Sequence, residues 1–82
     1  MRTAMCLRDS RTLRAYLRLL QMSERTLAAE AGVGHATVNH LLSGRRLTCT
    51  HETAQAIASV LECPTEVFFK PAYAEDSENL TG

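Results

Sequence analysis

Residues 35 to 43, HATVNHLLS, carry the side chains best suited to recognising another molecule. On a helix that turns by about 100° per residue, the apolar residues of this stretch share one side. They are Val38, Leu41 and Leu42. Small and polar residues would occupy the opposite side, namely Ala36, His40 and Ser43, with Thr37 and Asn39 flanking them. Amide and imidazole groups can both donate and accept hydrogen bonds, and a methyl group offers an apolar contact. We interpret this side as a binding face, while noting that each residue alone is also common at a solvated helix position.

A second short helix is predicted directly before this face. Ser23 can cap it, and Glu24 stands in its first turn, where negative charge is favoured. Gly32 is predicted to end this helix in the left-handed conformation, and Gly34 opens the helix of the binding face. Helices joined across so few residues cross at a steep angle, so a small side chain must lie at the crossing. We predict that this side chain is Ala28.

The small and apolar residues of the two helices resemble a known motif. The pattern comprises Leu27-Ala28, then Ala31-Gly32-Val33, then Val38 and Leu41. It resembles the helix-turn-helix of the lambda-repressor and Cro family, also called the Xre type, and the resemblance extends from about Leu13 to Phe69. It implies a compact five-helix DNA-binding domain whose second motif helix lies in the major groove of DNA. The alternative is an ordinary helical hairpin in a small bundle.

The resemblance implies roles for individual residues. Those at the base-reading positions are His35, Ala36 and His40, with Asn39 close by. Those expected to contact phosphate are Arg14, Arg18, Arg25, Thr37, Arg45 and Arg46. One position departs from the family pattern, because the family commonly has Gln at the first residue of the second helix, where it helps to bind phosphate. Glu24 would repel a phosphate there, so either Arg25 compensates or the contact has moved.

Composition bounds the fold and shows an uneven charge. The 82 residues suffice for one domain, and 45% hydrophobic residues with no Trp favour packed helices, so we predict an all-α fold. The formal net charge is zero. Residues 1 to 46, however, hold eight arginines against three acids, a net +5, whereas residues 47 to 82 hold one lysine against six acids, a net −5. For a DNA-binding protein the local field at the contact face matters more than the total.

We predict three parts of the chain: an N-terminal arm at residues 1–9, a helix-turn-helix DNA-binding domain at 10–70 and an acidic tail at 71–82. The arm could be an ordered arm or strand, or a frayed lead. The tail is predicted to be disordered, because it has too few apolar residues to fold alone.

Three more helices are predicted outside the motif. The first begins at Asp9 or Ser10, and the fourth is capped by Thr50. The short fifth helix is predicted from about Thr65 to Phe69. It would place Val67 and Phe68 on the core and leave Phe69 partly exposed, which makes this helix our first candidate for a dimer surface, with the N-terminal arm second.

The sequence gives little support for an enzyme. It has no glycine-rich phosphate loop, no paired carboxylates and no nucleophile with an evident base; Cys63 with His51 is the nearest such pair. Cys6, Cys49 and Cys63 are odd in number and widely spaced, which supports neither a disulfide framework nor a paired zinc motif. Cys49 and His51 would need two further ligands to hold a metal. We expect no cofactor, no metal and no small-molecule substrate.

We predict a DNA-binding transcriptional regulator, of the Cro-like or phage-repressor kind, that acts by occupying its operator. Its partners would be double-stranded DNA and a second copy of the chain. No apolar run is long enough for a membrane helix and the N-terminus lacks a signal-peptide core, so a cytoplasmic location without membrane contact is expected. Two alternatives are an antitoxin-type protein-binding module that autoregulates its operon and a recombination accessory factor that bends DNA.

Overall fold

Five helices and three strands make up residues 4–72, the part of the chain that this computed structural model describes. In chain order they are β1 (Ala4–Leu7), α1 (Ser10–Leu19), α2 (Glu24–Ala31), α3 (His35–Ser43), β2 (Thr48–Thr50), α4 (His51–Val60), α5 (Thr65–Phe68) and β3 (Phe69–Pro71). The predicted all-α class is therefore only partly right. The fold is mostly helical, but a small three-stranded sheet joins its two ends.

The sheet is antiparallel throughout, with β1 in the centre, β2 on one side and β3 on the other. Met5 lies opposite Cys49 of β2 and Pro71 of β3. Along β1 the buried residues Met5 and Leu7 alternate with less buried ones, as expected where one face of a sheet covers a core. Residues 4–7 of the predicted arm are thus the central strand of the sheet.

Short polar side chains start three of the helices, as predicted. Asp9 begins α1, where its Oδ1 accepts a hydrogen bond from the Arg11 N–H at 2.8 Å. Ser23 begins α2 and Thr50 begins α4, and each hydroxyl oxygen accepts from the N–H three residues later at 3.1 Å. These bonds satisfy amide groups that the first turn of a helix leaves without a partner.

Three helices also end alike, with a residue of positive φ followed by a bond back across the last turn. The positive-φ residues are Gln21 (55°), Gly32 (73°) and Glu62 (58°). The N–H groups that close these turns belong to Met22, Val33 and Cys63, which donate to the carbonyls of Leu17, Ala28 and Ala58 at 2.9 to 3.0 Å. Glu62 therefore holds a left-handed conformation, which glycine adopts more easily than a residue with a side chain.

The core lies between the helices and the inner face of the sheet. Its fully buried side chains include Leu13, Leu27, Val38, Leu41, Ile57 and Phe68. Two predictions for α5 were wrong: Phe69 is fully buried, and Val67 is 44% exposed. The reason is that the helix stops at Phe68 and the chain becomes extended, so Phe69 belongs to β3 and turns inward.

The C-terminal boundary is described only in part. Pro71 lies in β3, and the buried Ala72 donates its N–H to the carbonyl of Ala4 at 2.9 Å. The rest of the predicted tail, residues 73–82, lies outside the described residues. The division of the chain at residues 9 and 70 stays a prediction.

Candidate nucleic-acid interface

The joint between α2 and α3 is built from small residues and glycines. Ala28 is 4% exposed and packs within the core cluster, as predicted for the side chain at the crossing. Its carbonyl accepts the hydrogen bond from the Val33 N–H that closes α2. Gly32 takes φ of 73°, and Gly34 precedes α3 with extended backbone. The joint thus fixes the orientation of α3 relative to α2.

The two sides of α3 differ sharply in burial. Val38, Leu41 and Leu42 are at most 2% exposed, which confirms the predicted inner side. The other side, which we call the outer face, consists of exposed residues, namely His35, Ala36, Asn39 and Ser43. A helix anchored by three buried side chains holds its outer face in a fixed orientation toward solvent.

Thr37 and His40 lie at the margin of the outer face and not at its centre. Both are half-buried. They line one wall of an open cleft between α3 and β2, and the remaining polar lining comes from Arg46, Thr48, Thr50 and Thr53. The sequence predicted His40 at the centre of the side opposite the apolar residues, and this placement is wrong, because β2 lies across the cleft from His40 and leaves it half-buried at the margin. Asn39 is the exposed long side chain near the middle of the helix.

A contact that the sequence did not predict joins the start of α2 to the outer face. Asn39 donates from Nδ2 to Oε1 of Glu24 at 3.2 Å. The Nε2 atom of His35 lies 3.7 Å from the same carboxylate oxygen. In the sequence, Glu24 stands out because it would repel a phosphate where the family commonly has Gln. Its bond to Asn39 could not be predicted, because the two residues are 15 positions apart and only the packing of α3 against α2 brings them together.

Comparison with known families agrees with this geometry. A family profile described as helix-turn-helix, of the Cro/C1 type, matches residues 13–68, more than half of the chain. The chain belongs to this helix-turn-helix family. No curated protein and no solved structure matches the chain. Membership makes the protein a DNA-binding transcription regulator in general terms, with α2 and α3 as its helix-turn-helix.

The arginines of this helix-turn-helix protein fall into two groups. All five arginines that were predicted to contact phosphate are exposed, and for four of them, Arg18, Arg25, Arg45 and Arg46, the phosphate contact stays a prediction. Arg14 differs from them, because its Nη2 donates to the carbonyl of Leu42 at 2.7 Å. That carbonyl belongs to the last turn of α3, where the helix dipole favours a positive charge. Arg14 therefore ties α1 to the end of the helix that carries the outer face.

Two arginines outside the motif also contact other protein groups. Arg8 donates from Nε to the carbonyl of Glu66 at 2.9 Å, which links the end of β1 to α5. Arg11 lies 3.7 Å from the carboxylate of Asp9, the residue that caps α1. Both are exposed, so these contacts add little stability.

The cysteines are not poised for chemistry. Burial, together with the neighbouring Cys6 thiol, raises the pKa of Cys49 to about 11, so this thiol stays protonated at neutral pH. Cys63 is half-buried, and its Sγ donates to the Tyr16 hydroxyl oxygen at 3.2 Å. Within residues 4–72 no three His, Cys, Asp or Glu side chains are grouped so that they could hold a metal ion. None of the helices in that part of the chain is long and apolar enough to cross a bilayer.

Proposed function

We propose that this protein is a Cro-like or phage-type repressor that places α3 in the major groove of operator DNA and blocks promoter access by occupying the site. The observation that carries the proposal is the outer face of α3. It is a row of small and hydrogen-bonding side chains on a helix whose other side is locked into the core. A helix of this width fits a B-DNA major groove, which presents a distinct pattern of donors and acceptors for each base pair.

The proposed base contacts follow from side-chain chemistry. Asn39 suits adenine, since an amide can accept from the N6 amino group and donate to N7. His35 can donate to a guanine acceptor, and the Ala36 methyl can contact a thymine methyl. His40 lies at the margin of the outer face, so it would contact a base at the edge of the half-site. These four residues together would read one half-site.

The proposed phosphate contacts surround the outer face. Arg45 and Arg46 directly follow α3, and Arg25 lies in the first turn of α2. Arg18 on α1 and the Thr37 hydroxyl complete the set. These contacts supply affinity that falls with added salt, and they carry no sequence information. For Arg14 we propose the different role of holding the end of α3, because its guanidinium is already bonded to Leu42.

We further propose that two copies bind DNA together as a homodimer. A single recognition helix presents only about three or four base-reading side chains, and dimers of such proteins read two half-sites about one helical turn apart. Of the surfaces considered from the sequence, α5 exposes Val67, whereas Phe69 is buried and unavailable to a partner.

Selection of bound duplexes from a random pool tests the proposal. We expect enrichment of one short sequence that appears twice, as an inverted repeat with a spacing of about 10 base pairs between half-site centres. Enrichment of a single half-site would refute the homodimer and leave the base reading in place. A pool that shows no enrichment over several rounds would contradict sequence-specific binding.

A further inference from the structure

A carboxylate stands beside the surface that we propose meets DNA. Glu24 is the first residue of α2, and its side chain is 30% exposed. Its Oε1 accepts a hydrogen bond from Nδ2 of Asn39 at 3.2 Å and lies 3.7 Å from Nε2 of His35. DNA phosphates repel a negative charge, so Glu24 would weaken binding to DNA. Its role at this surface must therefore be something other than adding affinity.

The chemistry of the two groups fixes which way the amide of Asn39 faces. An ionised carboxylate only accepts hydrogen bonds, whereas an amide donates from its nitrogen and accepts at its oxygen. The NH₂ group of Asn39 must therefore face Glu24, since the flipped amide would bring its oxygen against a negative oxygen. Oδ1 then points away from Glu24 and is left to accept from another group.

This orientation is the one that reads adenine. Adenine needs an acceptor for its N6 amino group and a donor for N7. The amide nitrogen of Asn39 has two hydrogens, so one can remain on Glu24 while the other donates to N7 and Oδ1 accepts from N6. Guanine and thymine present an acceptor, O6 or O4, where adenine presents its amino group, and that acceptor would face the fixed Oδ1.

We propose that Glu24 is a positioning residue that sets base specificity, because it holds the amide of Asn39 in the orientation that accepts adenine and rejects guanine and thymine. The inference rests on the proposed function and deepens it. Glu24 lowers affinity for every duplex through its charge, and it raises the discrimination between bases at one position of each half-site.

Replacement of Glu24 by Gln separates these effects. Gln can accept from the Asn39 nitrogen or donate to its oxygen, so both amide orientations become allowed while the size of the side chain is kept. The matched control is Glu30→Gln, which removes the same charge from an exposed position on the same helix. Asn39→Ala identifies the base pair that Asn39 reads, as the position in the selected site where preference is lost.

The measurement is affinity at one salt concentration for three duplexes: the selected site, the same site with adenine changed to guanine at the Asn39 position, and a scrambled sequence. We expect Glu24→Gln to bind all three more tightly. Its preference for adenine over guanine should fall roughly three- to tenfold, part of the discrimination that a bidentate amide contact provides. Glu30→Gln should keep the parental preference. In an Asn39→Ala background, Glu24→Gln should change the preference no further.

Two results would overturn the inference. One is an unchanged adenine preference in Glu24→Gln, and the other is an equal loss of preference in Glu24→Gln and Glu30→Gln. Failure of the proposed function has a different signature, because the parent protein would then bind the selected and scrambled duplexes equally. Thermal melts of each variant verify that these exposed or half-exposed substitutions leave the fold intact.

Discussion

Arg14 has two candidate roles, contacting a DNA phosphate or holding the end of α3, and the two roles predict different experimental results. Its Nη2 donates to the Leu42 carbonyl at 2.7 Å, across from α1 to the last turn of α3. Hydrogen bonds to charged groups contribute about 1.5 to 3 kcal/mol, and solvent exposure of Arg14 favours the lower end. We therefore expect Arg14→Ala to lower the free energy of unfolding by about 1 to 2 kcal/mol.

Arg18 supplies the matched control, since it lies one turn further along α1 and is exposed. Arg18→Ala should change the free energy of unfolding by less than about 0.5 kcal/mol. On scrambled DNA it should make the plot of log affinity against log salt shallower by about one unit, because one phosphate contact is lost. Arg14→Ala should leave that slope unchanged.

Urea unfolding and a salt titration of binding, done on both variants, decide the matter. The reasoning would be refuted by an Arg14→Ala protein that unfolds like the parent and has a shallower salt slope. In that case Arg14 contacts phosphate, and the end of α3 is held by its own cap at Gly44.

Three further predictions concern the scaffold. Ala28→Glu should cost about 3 kcal/mol or more in unfolding free energy, since it inserts a charge and extra volume at a 4% exposed crossing; a melting midpoint equal to the parent's would place Ala28 elsewhere. Glu62→Gly should stabilise by roughly 0.5 to 1 kcal/mol, as glycine adopts a φ of 58° without strain, and urea unfolding of Glu62→Ala should show no such gain. Alkylation of Cys49, followed by mass spectrometry, should be slow at pH 8 and rise about tenfold per pH unit toward its pKa of about 11; rapid labelling at pH 7 would contradict its burial.

The helix-turn-helix could be predicted from the sequence because its signals are local. Ser23 and Thr50 bond to amides three residues away, and Gly32 ends α2 through its own backbone freedom. The inner side of α3 follows from helical periodicity alone. Such features depend on neighbours within one or two turns, so a single sequence contains all the information that fixes them.

The sheet could not be predicted because its strands are too short to show a periodicity. β1 has four residues and β2 and β3 have three each, and both strand pairings join segments more than 40 residues apart. Phe69 was misplaced for the same reason. As a helical residue it would fall beside solvent, whereas as the first residue of β3 it is buried against the core.

The sequence could predict which residues belong to the candidate interface, but it could not predict the contacts between them. Asn39 and Arg45 were identified by position on or after α3. The bond from Asn39 to Glu24, and the bond from Arg14 to Leu42, depend on how α1, α2 and α3 pack together. The position of His40 depends on β2, which the sequence did not predict.

Methylation by dimethyl sulfate on the selected duplex tests most directly whether α3 enters the major groove. The reagent attacks guanine N7 in the major groove and adenine N3 in the minor groove, so one experiment reports on both. We expect the bound protein to protect guanine N7 within each half-site and to leave adenine N3 reactive there. Protection of adenine N3 with guanine N7 left open would contradict the account, since the outer face of α3 would then not be reading the major groove.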